Sequence, residues 1–156
     1  MELELTLRNQ LAEALDWEGA HIRFEKAVQD FPVELRGRRP AGGPHTPWQL
    51  LEHLRIALWD ILEFSRDAAH VSPEFPAGYW PPEDAPPAST AWDESVARYR
   101  SDLAAMQALA KDPSVDLFAR IPHGDGQTLL REIILTLDHN AYHLGQLMLV
   151  RKTLEG

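Results

Sequence analysis

Hydrophobic residues recur at intervals of three and four along most of the chain, and this spacing predicts α-helices. The first such stretch covers residues 3–30 and stops before Pro32, because a residue that precedes proline disfavours the helical conformation. Its apolar face would carry Leu7, Leu11, Ala14, Trp17, His21, Phe24 and Val28. We therefore expect one long amphipathic helix at the start of the chain.

Local signals as well as periodicity mark the second predicted helix. A loop rich in glycine and proline comes first. Thr46 can serve as the N-cap, Pro47 suits the first helical position, and Gln49 can complete a capping box. The second helix is therefore predicted to begin at Pro47 and to end near Arg66 or Ala69.

Two further helices are predicted after a proline-rich segment. Residues 70–90 contain six prolines, which exclude regular helix and a central strand there. The third helix would be capped by Ser89 or Thr90 and would stop ahead of Pro113. The fourth would open after the Gly-Asp-Gly loop at residues 124–126 and continue towards the C-terminus.

Four amphipathic helices of similar length bury their apolar faces most economically in a bundle. Each would be about 20 residues and therefore about 30 Å long. The proline-rich segment can span about 60 Å when extended, which is more than one helix length. The sequence thus predicts a single domain over residues 1–156, an all-α four-helix bundle with a long crossover between parallel helices two and three.

Composition narrows the classes of function. The 156 residues include 15 Lys and Arg against 24 Asp and Glu, and the net charge of -9 would repel nucleic acid and anionic membranes. The absence of cysteine excludes disulfides, thiolate metal ligands and a cysteine nucleophile. There is no signal-peptide pattern and no apolar run of roughly 18 residues. We expect a cytoplasmic protein with neither nucleic acid nor membrane as a partner.

Two histidines stand four residues apart in the fourth helix, within the segment DHNAYHLGQ. His139 and His143 lie one above the other on the helical wheel, with Gln146 beside them. This helix is apolar nearly all round, so both rings should point into an interior or a cleft. They could direct two nitrogens at one metal ion, or they could be hydrogen-bonded core histidines. The spacing alone leaves both interpretations open.

A third histidine favours the metal site. His53 lies on a largely apolar face of the second helix, and three imidazoles from two helices suit one divalent ion. Asp60 follows near the same face and could orient an imidazole, act as a base, or be a solvent-facing carboxylate. Gln146 could bind a ligand or fill a buried polar gap.

The other histidines fit a site less well. Only His21 has an inward helical position. The remaining three lie outside the predicted helices: His45, His70 and His123. Tyr79 and Trp80 could close a pocket from the proline-rich loop, or could simply anchor that loop to the bundle.

Two other classes of metalloenzyme can be weighed against the three-histidine site. A His-Glu-x-x-His protease needs a glutamate directly after the first histidine, and Asn140 occupies that position, so this class is excluded. An iron oxygenase with two histidines and one carboxylate would need an acid such as Asp60 as a ligand. That alternative holds only if His53 is not a ligand.

Several motifs together resemble the DinB/YfiT-like superfamily of metalloenzymes. They are the Trp-x-x-Leu-x-His-Leu pattern of residues 48–54 and the His-x-x-x-His pattern followed by glutamine in residues 139–146. Residues 78–81, Gly-Tyr-Trp-Pro, and residues 121–124, Ile-Pro-His-Gly, resemble a bacterial subgroup of that family. The resemblance covers essentially the whole chain.

The resemblance implies a bundle with a long crossover, often a homodimer, and a divalent metal held by His53, His139 and His143. The ion could be zinc, nickel, iron or manganese. Members of the family include transferases and isomerases that use bacillithiol, mycothiol or glutathione. We therefore expect a metal-dependent transferase or hydrolase of a small molecule, with a low-molecular-weight thiol as a candidate cosubstrate and Asp60 and Gln146 as candidate catalytic residues. The alternative is a non-catalytic, stress-related bundle that binds a metal or ligand.

Overall fold

Five α-helices make up the fold in the computed structural model, which describes residues 2–156. They are α1 (Glu2–Ala14), α2 (Phe24–Val28), α3 (Pro47–Arg66), α4 (Ala91–Lys111) and α5 (Leu129–Glu155). No β-strand occurs among the described residues, so the predicted all-α class is confirmed. No helix in this part of the chain has both the length and the hydropathy to cross a membrane.

The prediction of one continuous helix over residues 3–30 is wrong. α1 ends at Ala14, and the chain turns before α2 begins at Phe24. Gly19 lies in this turn, and glycine costs a helix about 1 kcal/mol relative to alanine. Trp17, which the periodicity placed on the apolar face, is 50% exposed and lies against Gly19, where a Cβ would come within 3.0 Å of its ring. Apolar residues thus recur at helical spacing through residues 15–23, although this segment is a turn and not a helix.

Helix caps explain where α3 begins. The Thr46 hydroxyl accepts the Gln49 backbone N–H at 3.2 Å, and the Gln49 side chain accepts the Thr46 N–H at 3.2 Å. With Pro47 at the first position, the predicted capping box is confirmed. At α4 the predicted side-chain cap is wrong. Thr90 occupies the N-cap position, but its side chain forms no capping hydrogen bond.

The long crossover between α3 and α4 is confirmed by contacts at their starts. Ser95, in the second turn of α4, donates to the carboxylate of Glu52 in the second turn of α3. The two helices therefore run parallel. The proline-rich segment returns along the bundle, and the Thr46 hydroxyl donates to the Asp84 carbonyl at 2.6 Å, beside the start of α3.

α1 runs antiparallel to α4. Gln107 donates to the Ala12 carbonyl at 2.9 Å, and Arg8, one turn earlier in α1, donates to the Ala110 carbonyl near the end of α4 at 3.2 Å. Moving back along α1 thus corresponds to moving forward along α4. Two side-chain hydrogen bonds thus connect α1 to the C-terminal part of α4.

α5 lies antiparallel to α3 and closes the bundle. His123, just ahead of α5, donates to the carbonyl of Phe64 near the end of α3 at 2.7 Å. Large apolar side chains at most 1% exposed fill the space between the long helices: Leu50, Leu51, Leu54, Leu58, Leu62, Met106, Ile133 and Leu147. Two polar side chains of α3, His53 and Asp60, are also buried and interrupt its apolar face.

Candidate metal centre

Three histidines from two antiparallel helices meet on one side of the bundle. His53 lies in the second turn of α3, and His139 and His143 lie one turn apart in α5. The Nε2 atom of His53 is 3.0 Å from Nε2 of His143 and 3.0 Å from Nε2 of His139. The structure therefore brings together the three histidines that the sequence singled out.

Hydrogen bonds on the far side of two rings direct their Nε2 lone pairs towards the common point. Nδ1 of His53 donates to the backbone carbonyl of Tyr79 at 2.9 Å, and Nδ1 of His143 donates to Oε1 of Gln146 at 2.8 Å. A neutral imidazole carries one N–H, so Nε2 of both rings is an acceptor. Two facing lone pairs repel each other unless a proton or a cation lies between them.

This arrangement fits a metal ion. Tetrahedral bonds of about 2.1 Å would place ligand nitrogens about 3.4 Å apart, close to the observed spacing. The three ligand atoms lie within 4.8 Å of one another, and no other group of three histidines or carboxylates in the described residues meets this criterion. The cluster could hold a divalent ion. Three protein ligands would leave a coordination position open, as in catalytic sites.

Burial keeps the imidazoles neutral. Desolvation lowers the pKa of His53 to about 4. Desolvation, together with the neighbouring His143 and His53, lowers the pKa of His139 to about 4. The pKa of His143 is also lowered, chiefly by burial. At neutral pH the rings therefore present lone pairs rather than positive charge.

An aromatic stack covers the His53 ring. The Trp80 ring lies parallel to that of His53, with centroids 3.8 Å apart, and the opposite face of Trp80 stacks on His45 at 3.9 Å. Trp80 therefore shields one side of the centre from water. Sequence patterns could not place His45 here, because it lies in a loop and takes part in no helical periodicity.

Asp60 forms no hydrogen bond with any of the three imidazoles. Its buried carboxylate accepts hydrogen bonds from the Tyr79 hydroxyl at 2.6 Å and from Nε2 of His70 at 2.8 Å. Burial and the bond to Asp60 raise the pKa of Tyr79, so its phenol remains a donor. Tyr79 also supplies the carbonyl that binds His53, which connects Asp60 to the centre through the loop. Sequence reasoning missed His70 because its partner is defined by the path of that loop.

Comparison with known proteins identifies the family. The model of the DinB superfamily matches residues 16–147, which is most of the chain and includes all three histidines. The chain belongs to the DinB superfamily. No curated protein and no solved structure gives a significant match. Membership of the DinB superfamily and the three-histidine cluster are together compatible with a metal-binding protein.

The other two histidines of this DinB protein lie away from the centre. His123 binds the end of α3, and His21 is exposed in the turn between α1 and α2, where its Nδ1 donates to the Ile22 carbonyl at 2.8 Å. His21 was the other candidate with an inward helical position. His21 is not helical, because α1 ends at Ala14.

An apolar groove borders the centre of the DinB bundle. It has a volume of about 330 Å³ and runs between loop residues 40–45 and the C-terminal half of α5. Its walls include Leu50, Leu149 and Val150. Gln146 and His45 also line it, and these two residues contact His143 and Trp80 respectively. The groove can accommodate the apolar part of a small molecule beside the imidazoles.

The metal-free DinB protein should lose stability as the pH falls. The unfolded chain binds protons on His53 and His139 near pH 6.5, whereas the folded chain binds them only near pH 4. Between these values unfolding takes up protons, so the free energy of unfolding decreases with falling pH and is fully restored above pH 6.5. Partial solvation of His139 screens the effect, and we expect roughly 2 to 4 kcal/mol.

Urea denaturation of chelator-treated protein at about pH 7, 5.5 and 4.5 measures this dependence. The double variant His53→Gln/His139→Gln is the control, because it retains every carboxylate that titrates in the same range. The wild type should show the steeper dependence. Identical pH profiles for the two proteins would contradict the neutral, buried state of the imidazoles.

Proposed function

We propose that this DinB protein is a metal-dependent enzyme that transfers or hydrolyses a group on a small molecule. His53, His139 and His143 are the proposed ligands. The observation that supports this proposal is the convergence of three Nε2 atoms, two of them kept as acceptors by hydrogen bonds at Nδ1. A divalent ion there would act as a Lewis acid and lower the pKa of a coordinated water or thiol.

Neighbouring groups position the proposed ligands. Gln146 fixes the tautomer and orientation of His143, and the Tyr79 carbonyl does the same for His53. Asp60 holds the Tyr79 phenol and so restrains the loop that carries this carbonyl. We therefore assign Asp60 and Gln146 to positioning roles, since each acts on a ligand or on its partner.

A low-molecular-weight thiol is the proposed cosubstrate if the reaction is a transfer, and water if it is a hydrolysis. The protein contains no cysteine, so a thiolate nucleophile for transfer would come from a cosubstrate. The apolar groove beside Gln146 and His45 would hold the apolar portion of the electrophile. This assigns the groove to substrate and leaves the imidazoles free to hold the ion.

The decisive experiment combines metal analysis with an activity screen. Protein purified without a metal-binding tag should contain about one divalent ion per chain. Bacillithiol, mycothiol and glutathione are then each tested with electrophiles, and simple esters and amides are tested for hydrolysis. Turnover should disappear with a chelator and return with added metal. Stoichiometric metal without any turnover would favour the non-catalytic alternative, and absence of metal would contradict the proposed enzyme and leave only the binding of another ligand.

We also propose that the protein forms a homodimer through the outer face of α5. Ile134, Tyr142 and Leu149 are 51%, 63% and 67% exposed, and their spacing of eight and seven residues places them on one face. Gly145 lies among them with open space above its Cα. An exposed apolar stripe of this kind is typical of an interaction surface.

Light scattering at micromolar concentration measures the oligomeric state. The wild type should have the mass of a dimer, and Tyr142→Arg should be monomeric because the charge would be buried at the contact. Phe118→Arg is the matched control, since Phe118 is 61% exposed and lies outside α5. A monomeric wild type would overturn the proposal.

A further inference from the structure

The first residues of the crossover loop fold back onto α3. After the helix ends, the His70 backbone N–H donates to the Asp67 carbonyl at 3.1 Å in a turn. This turn brings the His70 ring back to the helix, where its Nε2 donates to Oδ1 of Asp60 at 2.8 Å. The ring also packs edge-on against Trp59, with centroids 5.0 Å apart, and its side chain is only 8% exposed. His70 is therefore held in one place although it lies outside every helix.

A single carboxylate ties two points of this loop to α3. Oδ1 of Asp60 accepts the bond from His70, and Oδ2 accepts one from the Tyr79 hydroxyl at 2.6 Å. Residues 71–78 thus form a loop whose two ends meet at Asp60, as in an Ω-loop. We call Asp60, His70 and Tyr79 the clamp. Asp60 is buried, so loss of either donor would leave one of its oxygens without that partner, which is costly.

The clamp holds the two loop residues that contact His53. The Tyr79 carbonyl accepts the bond from Nδ1 of His53 at 2.9 Å, and the Trp80 ring lies on the imidazole with an interplanar angle of 3°. His53 and Asp60 lie about two turns apart on α3, which is about 10 Å along the axis. Tyr79 spans this distance, with its carbonyl at His53 and its phenol at Asp60. A shift of the phenol would therefore also move the groups that orient His53.

We propose that His70 is a positioning residue for the candidate metal centre. It acts on the orientation of His53 through the other two members of the clamp, and the inference rests on the proposed function because His53 is a proposed ligand. Without His70, the Asp60 carboxylate is free to rotate, and the Tyr79 phenol moves with it. Groups that orient a ligand directly contribute about 10- to 100-fold to metal affinity, and His70 acts two contacts further away, so we expect a loss of about 3- to 10-fold.

Zinc affinity of three variants, measured by competition with a chromophoric chelator, tests this role. His70→Phe keeps a ring against Trp59 and removes only the donor, and it should bind zinc more weakly by the factor given above. His70→Gln retains a donor and should recover most of the affinity. His123→Phe is the matched control, since His123 also donates to α3, at the Phe64 carbonyl, and it should bind zinc like the wild type.

The ¹⁹F spectrum of metal-free protein labelled with 5-fluorotryptophan reports on the loop independently of the metal. The Trp80 signal, assigned with Trp80→Phe, should shift in His70→Phe, return in His70→Gln and stay unchanged in His123→Phe. A folded His70→Phe protein with wild-type zinc affinity, or with a wild-type Trp80 signal, would overturn the proposal. Absence of zinc binding in the wild type would instead contradict the proposed function, and the Trp80 signal would still decide whether His70 holds the loop on His53.

A double-mutant cycle tests the route through Asp60. Tyr79→Phe removes the other donor of the clamp, so its effect on zinc affinity should not add to that of His70→Phe. Additive losses would show that His70 acts by another route and would overturn the proposal. Should His70→Phe fail to fold, Tyr79→Phe tests the same clamp at its second donor. An unchanged Trp80 signal and unchanged zinc affinity in Tyr79→Phe would likewise overturn the proposal.

Discussion

The variant His143→Ala is expected to bind divalent metal more than about 100-fold more weakly than the wild type while remaining folded. Loss of partners that only orient a ligand already costs about 10- to 100-fold, and loss of a ligand itself should cost more. His53 and His139 would remain, but the Nε2 of His143, 3.0 Å from that of His53, would be gone. Two imidazoles do not fix the position of an ion.

The fold should tolerate the same change. The bundle draws its stability from four long apolar faces, and His143 lies at the edge of that core, 9% exposed. Its Nδ1 partner Gln146 is only partly buried and can bind water instead. We expect a loss of about 1 to 3 kcal/mol in the free energy of unfolding.

Elemental analysis and thermal melting of His143→Ala beside the wild type separate the two effects. His123→Ala is the matched control, because His123 is exposed and binds only the Phe64 carbonyl. It should retain the metal. Equal metal content in wild type and His143→Ala, including zero in both, would contradict the ligand assignment whatever the melting curves show.

Replacing Arg8 with alanine is expected to destabilise the protein by about 3 to 5 kcal/mol. Arg8 is 2% exposed, and its guanidinium donates to the carbonyls of Ala110, Asp112 and Val115 at 3.2, 2.8 and 2.6 Å. The last carbonyls of a helix have no partner within it, and Arg8 supplies partners at the end of α4. Alanine would leave these acceptors unpaired and would also create a cavity.

Urea denaturation of Arg8→Ala measures this loss, with Arg100→Ala as the control. Arg100 is exposed and forms a surface ion pair with Glu25, so its removal should cost about 1 kcal/mol or less. Equal midpoints for the two variants would show that the buried contacts of Arg8 contribute no more than an exposed pair. The DinB match begins at residue 16, so a large effect would also show that α1 is integral to this bundle.

Local sequence patterns predicted most of the fold because the physics involved is local. The capping box at Thr46 and Gln49 acts within one turn, and proline excludes helix from the crossover wherever the chain goes next. The first helix was mispredicted for the complementary reason. Periodicity cannot distinguish a buried side chain from an exposed one, and Trp17 fitted the apolar pattern although it lies outside the core.

The candidate site likewise contains some residues that local patterns could predict and others that they could not. His139 and His143 lie one turn apart on a single helix, so their proximity follows from the helical repeat. His53 could be added because an apolar face must be buried against another helix. The roles of Asp60 and Trp80 could not be derived in this way, since their contacts depend on the path of an irregular loop that no periodicity describes.

By itself the sequence determined the all-α class, the boundaries of α3, the long crossover, and the three histidines that could share an ion. The tertiary structure alone decided which nitrogen of His53 and His143 faces the common point, because that depends on hydrogen bonds to Tyr79 and Gln146. It also decided that Asp60 binds Tyr79 and His70. The physical reason is range: helix signals act over a few residues, whereas these contacts join segments that meet only when the bundle closes.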